Sequence, residues 1–349
     1  MKEFKNLSDV QEASQGLLRV EANFDDPDES LSDVRHLLYN PHGRPTLARE
    51  EDLVVNPEAV PMQFRYFRDL LRSKLGLPIS AYSWYRADGG SREIATAILD
   101  HFAQRGEKAV ALSPVHIGRG VLDLNRPQEK SVGEKLFPMP ELVAKDLVGI
   151  FDISTSVVFR LFETLAAHEL KSVIQPHTMA SGDPTDEEMA ELKALAQEVE
   201  AALKVGSGAE FSNPKMLQAL LAKWMIVYDN MNGRRDRADV DIVNALNVKV
   251  GDENKLEQIL DRGLSARIAE NLSLAGIPNA FNKPFSHLRG YPGSDLAALA
   301  GGRGYQQACF DVPRHLLLAS PADVYQPLTF QPHWNNVKLV AEAVVRAIE

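Results

Sequence analysis

Four short polar segments follow apolar runs in this 349-residue chain: YRADGGSRE at 85–93, HIGRGVLDLNRP at 116–127, QPHTMAS at 175–181 and FDVPRH at 310–315. Together they supply Asp88, Glu93, His116, Arg119, Asn125, Arg126, His177, Asp311 and Arg314. Carboxylates and imidazoles bind metal ions, guanidiniums grip carboxylates in a fork geometry, and a metal polarises a carbonyl. In open α/β sheets such groups collect in the crevice beyond the carboxyl ends of strands, which makes His177, at the end of an apolar run, the anchor. Asp311 interrupts an otherwise apolar strand, where an unpaired carboxylate is costly, so a functional or ion-paired role is expected. Asp88, ahead of Gly89 and Gly90, also reads as a turn aspartate, and Glu93 as a first-turn acid favoured by the helix dipole. His116 is an alternative ligand. Arg289 joins Arg314 as a cation for substrate or for structural pairing, whereas His287, His315 and His333 read as structural and Tyr291 and Trp334 as packing residues.

The elements that must position these groups alternate. Phe64, Phe67, Leu70 and Leu71 are spaced for a helix that Gly76 and Pro78 stop, and ISAYSWY at 79–85 reads as a strand. Ile94, Ala97, Ile98 and Phe102 share one helical face that Gly106 ends, and KAVALSPVHI at 108–117 is a short buried strand. A helix over 154–169 leads into the strand KSVIQPH at 171–177. Thr185 and Glu188 have capping-box spacing ahead of a helix with Met189, Leu192, Leu195, Val199 and Leu203 on one stripe. QQACFDVPRHLLL at 306–318 is a last strand, and NNVKLVAEAVVRAI is a closing helix. The alternation predicts an α/β fold, with a mostly parallel or mixed sheet and helices on both faces. Residues 1–60, with DDPDES and NPHGRP, read as turns and loops of an N-terminal extension. Residues 61–349 then form one α/β domain, with a helical insertion at about 185–275.

Bulk properties narrow the partners. A net charge of −10 argues against nucleic acid, which needs a clustered cationic surface, and NGRRDR at 232–237 reads as a solvated loop. Cys309 is the single cysteine, which excludes an intrachain disulfide and points to a reducing compartment. The first residues lack the apolar core of a signal peptide, and no window approaches the roughly 20 apolar residues of a membrane span. A cytoplasmic protein with no membrane partner is the expectation.

The order and content of the segments resemble the N-formylglutamate amidohydrolases and their zinc-carboxypeptidase-like relatives, over roughly residues 85–349. RGVLDLNRP resembles that family's DLNRP segment, and IQPHTMAS its DLHSM segment. NKPFSHLRGYPGS at 282–294 is similar to the stretch before the final strand, and CFDVPRHLL stands in place of the E-[IV]-x-R-x-L strand. The resemblance implies a carboxypeptidase-like fold and one Zn2+ held by two histidines and a carboxylate. It also implies hydrolysis of the N-acyl bond of a small acidic substrate. In those terms His177 is a metal ligand, Asp311 the general base and Arg119 a catalytic-site arginine, with Asn125, Arg126, Arg289 and Arg314 binding the substrate carboxylate. The sequence departs from the pattern at three places: Asp88 stands where a histidine is expected, Asp311 replaces a glutamate, and Gln175-Pro176 precedes His177. Asp88, Glu93 and His177 form a ligand set that would also suit Fe2+ or Mn2+. A member that binds a ligand without hydrolysing it is the alternative function, and oxidation at the metal is another.

Overall fold

The computed structural model describes residues 3–42, 88–114, 122–131, 141–205, 240–317 and 332–348, with scattered positions between 219 and 239. The helix expected at 63–75, the strand at 79–85, His116 and Arg119 lie outside the described residues.

Among the described residues, a seven-stranded mixed sheet runs through the chain. Its strands are β1 (Leu18–Ala22), β2 (Val34–Tyr39), β3 (Lys108–Pro114), β4 (Ser172–Met179), β5 (Val240–Ile242), β8 (Asn279–Phe281) and β10 (Gln306–Pro313). They lie in the order β1-β3-β2-β4-β10-β5-β8. β3, β2, β4 and β10 are parallel, and β1 and β5 pair antiparallel with β3 and β10. A smaller three-stranded sheet, β7-β6-β9, comprises β6 (Ala245–Val250), β7 (Glu253–Ile259) and β9 (His287–Leu288). The α/β class and mixed sheet expected from the sequence are present.

The two faces of the large sheet bury separate apolar clusters, as parallel strands covered on both sides require. One contains Leu37, Val110, Val173, Leu161, Phe162 and Leu165, with the last three on the helix Glu141–Ala166. The other contains Leu38, Ala111, Ile174 and Phe310, against the helices Ser91–Gln104, Arg262–Leu274 and Trp334–Ala347. Adjacent residues of β2, β3 and β4 fall into opposite clusters, Leu37 and Leu38, Val110 and Ala111, Val173 and Ile174, the period of two of a β-strand. Thr185 and Glu188 form their reciprocal box: the Thr185 N–H donates to Glu188 Oε2 at 2.8 Å and the Glu188 N–H to Thr185 Oγ1 at 3.1 Å.

Two organisational expectations are corrected. Residues 1–60 are not simply an extension, because β2 lies between β3 and β4 in the middle of the sheet. Its six residues include Arg35 and His36, which dilute the apolar signal, although both ends of the strand are buried. Nor is 185–275 wholly helical, since β5, β6 and β7 occupy 240–259. The turn between β6 and β7 uses Gly251 at φ +65°, a conformation that suits glycine in a tight hairpin.

Candidate metal centre

β2, β4 and β10 are neighbours and run parallel, so their carboxyl ends open on one edge of the sheet. His42 lies three residues beyond β2, His177 near the end of β4, and Asp311 on β10 directly beside His177 in the register. This is the crevice where α/β folds place ligands. Asp88 enters from the segment before the Ser91–Gln104 helix. Its N–H donates to the His42 carbonyl at 2.9 Å, and its carbonyl accepts from the Ser91 N–H at 3.1 Å and the Ser91 hydroxyl at 2.7 Å. Asn40 bonds that hydroxyl at 2.9 Å, so both segments are tied together through backbone and side chain. Gly90, at φ +96°, lets the chain turn from Asp88 into the helix, and a Cβ there would lie 2.9 Å from Leu317 Cδ1.

His42, Asp88 and His177 are all buried, and each offers one ligand atom within 4.8 Å of the others. Asp88 Oδ2 is 3.1 Å from His177 Nδ1 and 3.4 Å from His42 Nδ1. Ligands about 2.0–2.1 Å from a tetrahedral zinc ion stand about 3.3–3.4 Å apart, so the spacing suits such an ion. The second nitrogen of His42, Nε2, is 2.7 Å from Asp123 Oδ1. When Nε2 donates to that carboxylate, the neutral ring presents a lone pair at Nδ1, which makes no hydrogen bond and faces a carboxylate oxygen. A cation among the three groups satisfies that arrangement. The Thr178 N–H also donates to Asp88 Oδ2, at 3.3 Å.

A cavity of about 470 Å3 adjoins the cluster and is lined by His42, Asn125, Arg126, His177, Asp311 and Arg314, among others. Asn125 Oδ1 accepts from the Gly293 N–H at 2.8 Å, and Gln175 Nε2 donates to the Gly293 carbonyl at 2.8 Å. Gly293 has no room for a side chain: a Cβ would meet Asn125 Oδ1 at 2.5 Å and Gln175 Oε1 at 2.6 Å. Arg126 bonds Asp123 Oδ2 at 3.3 Å and the Tyr291 hydroxyl at 3.2 Å, with its guanidinium 5.3 Å from the Tyr291 ring centre. Tyr291 therefore orients Arg126 and is more than a packing residue. Burial, with Asp311, Asp241 and Asp88 nearby, pushes the Cys309 thiol well up, which holds it protonated and unsuited to nucleophilic attack. Burial likewise lowers His287 to about 4, with His177 adding to the effect, so its imidazole is neutral beside the site.

The structure thus brings Asp88, His177, Asp311, Asn125, Arg126 and Arg314 to one place. Two expected residues stand elsewhere. Glu93 is not in the metal group, because it sits in the first turn of the Ser91–Gln104 helix while Asp88 precedes that helix. Arg289 does not line the cavity. It is half-exposed and forms a two-pronged pair with Glu257 at 2.9 and 2.8 Å, a surface arrangement across the small sheet. His42 is the residue that the sequence reading missed. Its signal was the strand-end position after VRHLLY, obscured by the turn-like Asn40-Pro41. Arg237, assigned to a solvated run, also lines the cavity.

Among the described residues, no helix is long and apolar enough to cross a membrane. No family model and no curated protein matches the chain. Among solved structures it is similar to the crystal structure of gene product Atu2144 from Agrobacterium tumefaciens, at 12% sequence identity and a TM-score of 0.49, covering 96% of this chain and 94% of that one.

Proposed function

We propose that this protein is a metal-dependent hydrolase that cleaves the amide bond of a small, carboxylate-bearing substrate of the N-acyl amino acid type. The observation that carries the proposal is the buried His42-Asp88-His177 group at the edge of a cavity that also holds Asp311 and Arg126. The resemblance in DLNRP and QPHTMAS adds to it. His42 supplies the second histidine that the family pattern calls for, from a segment upstream of ADGGSRE.

In this reading His42, Asp88 and His177 would hold Zn2+, which when bound would supply a Lewis acid able to lower the pKa of water to about 7 and polarise an acyl oxygen. Asp123 fixes the His42 tautomer and ring plane. Asp311, beside His177 on the neighbouring strand, takes the proton of the attacking water and returns it to the leaving amine. Asn125 and Arg126 orient the substrate carboxylate, with Tyr291 holding the guanidinium in place. Release of amine from a panel of N-acyl amino acids tests the activity, with Asp311→Asn as the control. Loss of about a hundredfold or more in kcat is expected, and equal turnover by the variant removes Asp311 as the base.

Two histidines and one carboxylate are also the donor set of non-haem iron enzymes, and this composition supports oxidative chemistry as the second reading. Oxygen uptake that depends on Fe2+, without amine release, would favour it.

A further inference from the structure

The cavity lining joins unlike groups: beside His42, His177, Asn125, Arg126 and Gln175 it includes the apolar side chains of Met179, Met189, Met231, Phe285 and Leu288. Met179, Met189 and Met231, the methionines among the described residues, all line this cavity. Methionine is flexible and polarisable, and it adapts to planar apolar ligands while making favourable sulfur–ring contacts.

Phe285 is 37% exposed, yet its backbone is fixed. The N–H groups of Lys283 and Phe285 donate to the two oxygens of the buried Asp241 carboxylate at 2.8 and 2.9 Å. Asn282 Oδ1 accepts from the N–H groups of Asn244 and Ala245 at 3.0 and 2.8 Å, which ties the same loop to β6. The Arg237 guanidinium lies 5.6 Å from the Phe285 ring centre and is itself bonded to Asp183. An aromatic ring held this firmly at a cavity wall costs little entropy when it binds a ligand. The space also exceeds what the smallest acyl group needs: a formyl group is comparable to one or two waters of about 30 Å3 each.

We infer that the methionine and phenylalanine side chains of this lining form a subsite for a bulky apolar group, aromatic in the first instance, on the substrate. The chain then acts on N-acyl amino acids larger and less polar than N-formylglutamate. This selectivity rests on the amidohydrolase reading, whereas the binding of an apolar group does not.

The test uses zinc-loaded, full-length protein labelled with 13C at the methionine methyl groups. Its probes are N-benzylglycine and N-methylglycine, which lack an amide and differ by the phenyl ring. The methyl signals of Met179, Met189 and Met231, assigned through Met→Leu variants, are expected to shift with N-benzylglycine. Its affinity should exceed that of N-methylglycine by about tenfold or more, the value of burying a phenyl group. Phe285→Ala, with an unchanged circular dichroism spectrum, should remove most of that advantage. Equal affinity for the two probes, no binding of either, or shifts confined to other methionines overturns the subsite. If these signals shift while N-benzoylglycine is not hydrolysed, the amidohydrolase reading fails and the subsite stands.

Discussion

At the scale of single residues, the centre is organised by which atom of each group faces which neighbour. Asp123 belongs to the DLNRP segment, but its carboxylate bonds His42 rather than facing a substrate directly. Such outer carboxylates typically change metal affinity by about ten- to a hundredfold, so Asp123→Asn should weaken zinc binding by that factor and leave the fold intact. Competition with a chromophoric chelator measures this, and an unchanged affinity would show that His42 needs no orienting partner. Much of the candidate site was legible from residue types and their place along the chain. His177 and Asp311 stood out because each polar group ends or interrupts an apolar run. Asp88 was visible but ambiguous, since an aspartate before two glycines also suits a plain turn. His42 escaped notice because NPHG looks like a turn, and only tertiary contact brings it to Asp88. Glu93 stands outside the metal group because five positions along the sequence lead from Asp88 into the first turn of a helix.

At the scale of elements, β2 carries the largest departure from expectation and a pH dependence of its own. His36 in β2 is buried, stacks on Phe102 at 3.7 Å and lies 2.8 Å through Nδ1 from the Ser172 hydroxyl. Burial lowers it to about 4, opposed by Glu107 and assisted by Lys171 and Arg105. The unfolded chain takes up this proton near pH 6.5 and the folded one only near pH 4. His36 therefore contributes stability that is fully present above about pH 6.5 and is lost as pH falls towards 4, by at most about 3 kcal/mol. Urea denaturation between pH 7.5 and 5 should show this decline, and His36→Phe should flatten it. His287, also lowered to about 4, keeps the remainder of the slope in the variant. An identical slope in both proteins would place the titration elsewhere. The first turn of the helix Pro292–Gly302 is equally specific, because a Cβ on Gly293 would run into both Asn125 and Gln175. Gly293→Ala should displace Asn125 and raise KM for a carboxylate substrate with a smaller change in kcat, as steady-state kinetics would show.

At the scale of the whole molecule, parallel pairing of β2, β4 and β10 gathers groups far apart in sequence, from His42 to Asp311, onto one edge. The strand–helix alternation made the sheet class legible, whereas strand order was not, because the crossovers that interleave β1, β3 and β2 leave no local signal. A metal ion held jointly by groups after β2, on β4 and before the Ser91–Gln104 helix would stabilise the fold through linkage. Zinc at about a thousand times its Kd adds about 4 kcal/mol, so a chelator should lower Tm for the natural chain and leave His177→Ala unchanged. The metal centre is tested most directly by the metal content of the purified protein after equilibration with zinc, measured by mass spectrometry beside His42→Ala and His177→Ala. About one zinc per chain is expected, falling to near zero in both variants. Equal content in all three proteins, or none in the natural chain, would contradict a metal centre at His42, Asp88 and His177.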